Sequence, residues 1–74
     1  MTQKERILDY INEFGSITPM EAFADLGITK LATRVSEIDA LGTPIHKEWE
    51  TGKNRYGESI RYMRYSLEIQ HGWV

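Results

Sequence analysis

Apolar positions organise the first two thirds of the chain into three helical segments. From about Gln3 to Phe14, Ile7, Leu8, Ile11 and Phe14 fall on one stripe of an amphipathic helix, and Gly15 supplies its stop. In the stretch SITPMEAFADLG, Thr18 is placed to cap a second helix, Pro19 suits its first position, and Glu21 completes a capping box. That helix is predicted from about Pro19 to Asp25, with Met20, Phe23, Ala24 and Leu26 offered to a core and Gly27 as its breaker. Beyond Ile28, Thr29 reads as another N-cap, and a third helix runs to about Leu41 with Leu31, Val35, Ile38 and Leu41 as its buried stripe. At about 100° per residue the opposite side carries Lys30, Thr33, Ser36, Glu37 and Ala40, with Arg34 on the flank.

The pattern then changes from helical to extended. Gly42 and Pro44 stop the third helix, residues 45–49 (IHKEW) have strand character, and residues 50–58 (ETGKNRYGE) are rich in turn formers. Residues 59–67 (SIRYMRYSL) are β-branched and aromatic, so they read as the returning strand of a hairpin. Ile45 and Trp49 share one face, as do Met63, Tyr65 and Leu67, whereas Ile60 and Tyr62 point the other way. This two-sidedness predicts a small sheet with one face on the helices and aromatic rings shielding part of the other.

Length and composition narrow the functions. At 74 residues the chain suits a single domain, residues 1–74, with the hairpin at about 45–67 and a short tail at 68–74. A core of that size leaves little room for a catalytic cleft, so no enzyme and no small-molecule substrate are expected. The absence of cysteine removes disulfides, thiolate metal sites and a cysteine nucleophile, and favours a cytoplasmic protein. No apolar run approaches the roughly 20 residues needed to cross a bilayer, so no membrane partner is expected. His46 and His71 have no ligand-spaced companions and no nucleophile motif is present, so neither metal nor cofactor is expected.

Charge is uneven along the chain. The formal net charge is −2, which sits awkwardly with a phosphate-binding role. Residues 1–29 hold two cations against five acids, a balance of −3, whereas residues 30–64 hold seven cations against five acids, a balance of +2. The positive half contains the third helix and the hairpin.

Three helices followed by a hairpin, with a tight glycine turn between the second and third, is the element order of an α+β winged helix-turn-helix. The residues carry a closer likeness. The segments SITPMEAFADLGIT, KLATRVSEIDALG, TPI and RYMRYSL resemble those of the short winged helix-turn-helix proteins of bacteriophages and prophages. The likeness extends from about Ile7 to Leu67 and is most specific at Gly27-Ile28-Thr29, at Ala32 to Ile38, and at Gly42 to Ile45. It implies double-stranded DNA as partner, the third helix in the major groove, and the hairpin, or wing, on the backbone or minor groove. Relatives of this size resemble repressors, excisionase-type architectural factors or small packaging proteins. One position departs from the turn of dimeric repressors: where they place a buried aliphatic residue six positions after the turn glycine, this chain has Thr33. Repressor contact rules therefore do not transfer position by position.

Docking of such a helix nominates residues. The start of a recognition helix meets base edges while flanking groups hold phosphates, which points to Thr29, Lys30, Thr33, Arg34, Ser36 and Glu37. Arg34 is the leading base reader, because a guanidinium spans both acceptors of a guanine; its alternative is a surface ion pair with Glu37. In the wing, Lys53, Asn54 and Arg55 suit phosphates or a minor groove, or else a solvated turn, and Glu50 and Glu58 beside them oppose phosphate attraction. Arg61 and Arg64 are open to phosphate contact or to cross-strand pairing with Glu48. So few cations favour action as a dimer or array. Trp73 fits a core cover or a dimer contact. A winged helix used for protein contact, or as an inhibitor of a host factor, is the alternative that the acidic total favours.

Overall fold

A computed structural model describes the chain from Met1 to Glu68; the tail residues His71 and Trp73 lie outside the described residues. The order is α1 (Gln3–Phe14), α2 (Pro19–Leu26), α3 (Leu31–Ala40), β1 (Ile45–Lys53) and β2 (Ser59–Leu67). This is three helices followed by an antiparallel hairpin, the architecture of a winged helix-turn-helix. Among the described residues no helix is long and apolar enough to cross a membrane.

Local chemistry sets the helix ends. Thr2 and Thr18 each accept a hydrogen bond from the backbone N–H three residues on, and Glu5 and Glu21 accept one from the threonine N–H in return. These reciprocal capping boxes satisfy backbone donors that a helix start otherwise leaves orphaned. Gly27, at φ 69°, closes α2, and the next amide, Ile28 N–H, turns back to the Ala22 carbonyl at 3.0 Å. Only glycine takes that left-handed conformation without a Cβ penalty. The reversal drops Ile28 into the core and starts the tight connection to α3.

The core lies where α1, the α2–α3 unit and the base of the hairpin meet. Ile7 and Ile11 of α1, Leu31, Val35 and Ile38 of α3, and Ile45 and Tyr65 of the sheet are all buried there. Ile17 adds a short third edge, exchanging backbone hydrogen bonds of 2.8 and 2.9 Å with Tyr65. The sheet is thereby tied to the connection between α1 and α2, which orients the hairpin against the helices.

Several expected core positions are exposed instead. On the two-turn α2 the buried residue is Ala22; Met20, two positions earlier and so on the far side, is 74% exposed, and Phe23 is 63% exposed. A small residue at the contact lets α2 approach closely, which turns its larger side chains outward. Ala24, two positions after Ala22, falls on the same outward side and is exposed. Phe14 stands past the covered part of α1, its ring 4.6 Å from that of Tyr10. Leu41 is also exposed, because α3 ends at Ala40 and Leu41 has left the helical stripe. Leu26 packs on the core as expected.

The hairpin is longer than its turn-rich sequence suggests. Glu50, Thr51, Gly52 and Lys53 pair with Tyr62, Arg61, Ile60 and Ser59, so the turn shrinks from nine residues to Asn54–Glu58. Cross-strand pairing overrides the turn propensity of Thr51 and Gly52. Glycine at 52 also has a packing reason, since a Cβ there would stand 3.3 Å from the Tyr62 ring.

Candidate nucleic-acid interface

Helix α3 buries Leu31, Val35 and Ile38 and turns Ala32, Thr33, Ser36, Asp39 and Ala40 to solvent. Thr33, Ser36 and Ala40 occupy the centre of the outward side. All three are small, so the helix backbone can approach a groove floor closely. The start of the helix differs from expectation. The N-cap is Lys30, with no side-chain hydrogen bond, and Thr29 lies one residue outside, because Lys30 at φ −117° and ψ 57° makes the bend into α3. Thr29 and Lys30 are both exposed beside backbone amides that no side chain caps.

Arg34 and Glu37 lie on the flank that faces α1. The Arg34 guanidinium stands 3.3 Å from Glu37, and the other oxygen of Glu37 is 3.6 Å from the Lys4 ammonium. Glu37 is thus a counter-ion shared by two cations. Arg34 Nε and Glu37 Oε1 are nevertheless buried without hydrogen-bond partners among the described residues. Glu37 thus positions Arg34, whose buried Nε is closed to a ligand; only the terminal guanidinium nitrogens of this half-buried side chain are candidates to meet an incoming acceptor.

At the wing, Asn54 builds the turn. Its Oδ1 accepts from Tyr56 N–H at 2.9 Å and Glu58 N–H at 3.1 Å, while its Nδ2 donates to the Glu58 carboxylate at 2.9 Å. Both ends of the amide are engaged, and Gly57 at φ 78° completes the reversal. Lys53 and Arg55 on either side of Asn54 are exposed and, among the described residues, in no ion pair.

Arg64 anchors the wing to the helices. Its Nε donates to Glu50 at 2.6 Å and its Nη1 to the Ser16 hydroxyl at 2.8 Å, with Glu21 of α2 at 3.7 Å. The Glu50 hydrogen bond holds the Arg64 pKa above its ordinary value and, reciprocally, holds the Glu50 carboxyl below the usual carboxylate range. Glu48, the pairing partner expected for it, lies instead 3.7 Å from His46. Arg64 sits opposite Glu48 in register but reaches diagonally to Glu50 because Ser16 and Glu21 hold its far end.

A contact not foreseen is Trp49, 59% exposed, with the Arg61 guanidinium 4.6 Å from its ring centroid. Strand parity is the signal that finds it. With Thr51 opposite Arg61, positions 49 and 61 fall on one face as diagonal neighbours. Among the described residues no group of acidic, histidine or cysteine side chains is placed to hold a metal.

No curated protein and no solved structure matches the chain. A family model described as winged helix-turn-helix domain matches residues 2–69, nearly the whole sequence and every element described above. Helices, turn, bridge strand and hairpin agree with that match, and the chain belongs to the winged helix-turn-helix domain family.

Proposed function

We propose that this protein binds double-stranded DNA in a sequence-directed way, with α3 in the major groove and the wing on the flanking backbone or minor groove. The observation that carries this reading is the outward side of α3: Thr33, Ser36 and Ala40 form a small-residue strip opposite a fully buried stripe. Winged helix-turn-helix domains generally bind double-stranded DNA, which is the coarse expectation the family supplies. In the proposed complex Arg34 reads a guanine, Ser36 and Glu37 lie along the groove, and Thr29 and Lys30 approach phosphates at the helix start. Lys53 faces the backbone from the wing, and Asn54 keeps the turn beyond it in shape. The likeness to short phage and prophage proteins extends the proposal to a transcriptional regulator or excisionase-like architectural factor acting as a dimer or array.

Titration of the protein into random and defined duplexes at low and moderate salt tests this. Affinity that falls steeply with salt supports it; no binding at low salt refutes it. Arg34→Ala should relax sequence preference, and unchanged preference removes Arg34 from base reading.

One observation favours a second reading, a winged helix used for protein contact. Met20 and Phe23 of α2 and Ile60 and Tyr62 of β2 line an open groove of about 640 Å³ between the second helix and the wing. Exposed apolar surface of this kind marks interaction sites. Failure to bind DNA at low salt would make this the working hypothesis.

A further inference from the structure

We propose that the wing grips the phosphodiester backbone of duplex DNA with one face of its strands, carried by Lys47, Trp49, Lys53 and Arg61, rather than with the tip of its turn. This rests on the DNA-binding reading above and names the surface that serves it.

The antiparallel register sorts the wing's charges by parity. Ile45, Lys47, Trp49, Thr51 and Lys53 lie opposite Leu67, Tyr65, Met63, Arg61 and Ser59, so all ten share one face. At its base that face is buried against the helices through Ile45 and Tyr65. Farther out it is exposed and holds Lys47, Lys53 and Arg61 with no acid among them. The strand glutamates, Glu48 and Glu50, fall on the opposite face with His46 and Arg64. Acids and cations that alternate in the sequence are therefore separated in space, and the glutamates beside the wing do not oppose a phosphate on the cationic face at contact range.

The side chains suit a sugar-phosphate strand. Among the described residues none of Lys47, Lys53 and Arg61 has an ion-pair partner. Arg61 lies over the Trp49 ring, a contact that uses the ring face and no guanidinium hydrogen bond, and among the described residues its N–H donors have no carboxylate partner, which leaves them for phosphate oxygens. The exposed indole adds a flat apolar surface against deoxyribose. The tip offers less, because Asn54 is consumed by its own turn, its amide engaged by Tyr56 N–H and by the N–H and carboxylate of Glu58.

Duplex binding by the full chain, measured by anisotropy across a salt series, tests the assignment with a face variant (K47Q/R61Q) and a tip variant (R55Q). The face variant should lower the slope of log affinity against log salt by about two, at roughly 0.9 per phosphate contact, with the tip variant near wild type. The reverse ranking overturns the proposal while leaving DNA binding intact. A second measurement keeps the face unaltered: in Trp73→Phe, Trp49 is the sole tryptophan, and duplex should shield its fluorescence from a neutral quencher. Unchanged quenching in a bound complex also overturns the proposal. Absence of wild-type binding at low salt removes the DNA reading itself, and this inference with it.

Discussion

Two capping boxes of the same chemistry in different surroundings give a test of what burial adds to a helix cap. Thr18 is 4% exposed whereas Thr2 is exposed, yet each hydroxyl accepts the N3 amide at 3.2 Å. Thr18→Ala removes the acceptor for the Glu21 N–H in a half-buried site where Arg64 and the wing crowd the helix start. Loss of a threonine cap costs about 0.5–2 kcal/mol, and an amide left without a partner away from water pushes the cost toward the upper end, about 2 kcal/mol. A domain of this length has about 4–11 kcal/mol of total stability, so the variant gives up a substantial share. The melting temperature should fall by about 8–16 °C. Thr2→Ala, whose freed amide meets water, should lower it by less than half as much. Thermal and urea unfolding followed by circular dichroism would measure both, with unchanged urea m-values showing that the folded and unfolded states keep their extent. Equal losses in the two variants would refute the argument that burial amplifies the cap.

Four further outcomes are expected. Gly27→Ala should cost about 1 kcal/mol in urea unfolding, because a Cβ there meets nothing within 4 Å and only the left-handed backbone at φ 69° is penalised; Gly27→Asn should cost less. Glu37→Gln should tighten duplex binding and steepen its salt dependence by releasing Arg34, and this gain should vanish in the Arg34→Ala background; an equal gain in both backgrounds would show that the two side chains act independently. Because the Arg64 hydrogen bond lowers the Glu50 pKa in the folded protein, its contribution is present above the unfolded carboxylate pKa and lost as pH falls through the folded value. Glu50→Gln should therefore flatten the acid limb of the stability profile, and an unaltered limb would count against the pairing. Tyr10, donating to Asp25 at 2.6 Å, has its pKa pushed up to about 12; its contribution holds below the ordinary phenol value and is lost as pH rises through about 12, so Tyr10→Phe should remove the latest step of an alkaline absorbance titration.

Legibility from the sequence follows the range of the interactions. The Thr18–Glu21 box, the stops at Gly15 and Gly27, and the stripes Ile7–Ile11 and Leu31–Val35–Ile38 are decided within a turn or two of helix, so the order of elements could be read directly. The faces of Trp49, Met63 and Tyr62 were also legible, since strand parity is a local property. Candidate residues were legible as types but not as states. Arg34 was a cation on a helix flank; its sharing of Glu37 with Lys4 depends on how α1 crosses α3. Asn54 was a polar tip residue; that its amide is engaged at both ends depends on where pairing stops and the turn begins.

Sequence alone determined the three helices, the Thr18–Glu21 cap, the glycine stops at 15 and 27, the presence of a hairpin and the absence of cysteine chemistry, because each is written in neighbouring residues or in composition; the start of α3, expected at Thr29, was not among them. Tertiary structure decided the rest. It chose Ala22 over Met20 and Phe23 for the core, since a close helix approach admits only the small side chain. It tied Arg64 to Glu50, Ser16 and Glu21, groups brought together from three parts of the chain. It also set Lys47, Lys53 and Arg61 on one face of the wing and Glu48 and Glu50 on the other. Parity orders the residues within each strand, but only the register between strands brings Arg61 onto the surface of Lys47 and Lys53, and a slip of one residue would have placed it with the glutamates instead.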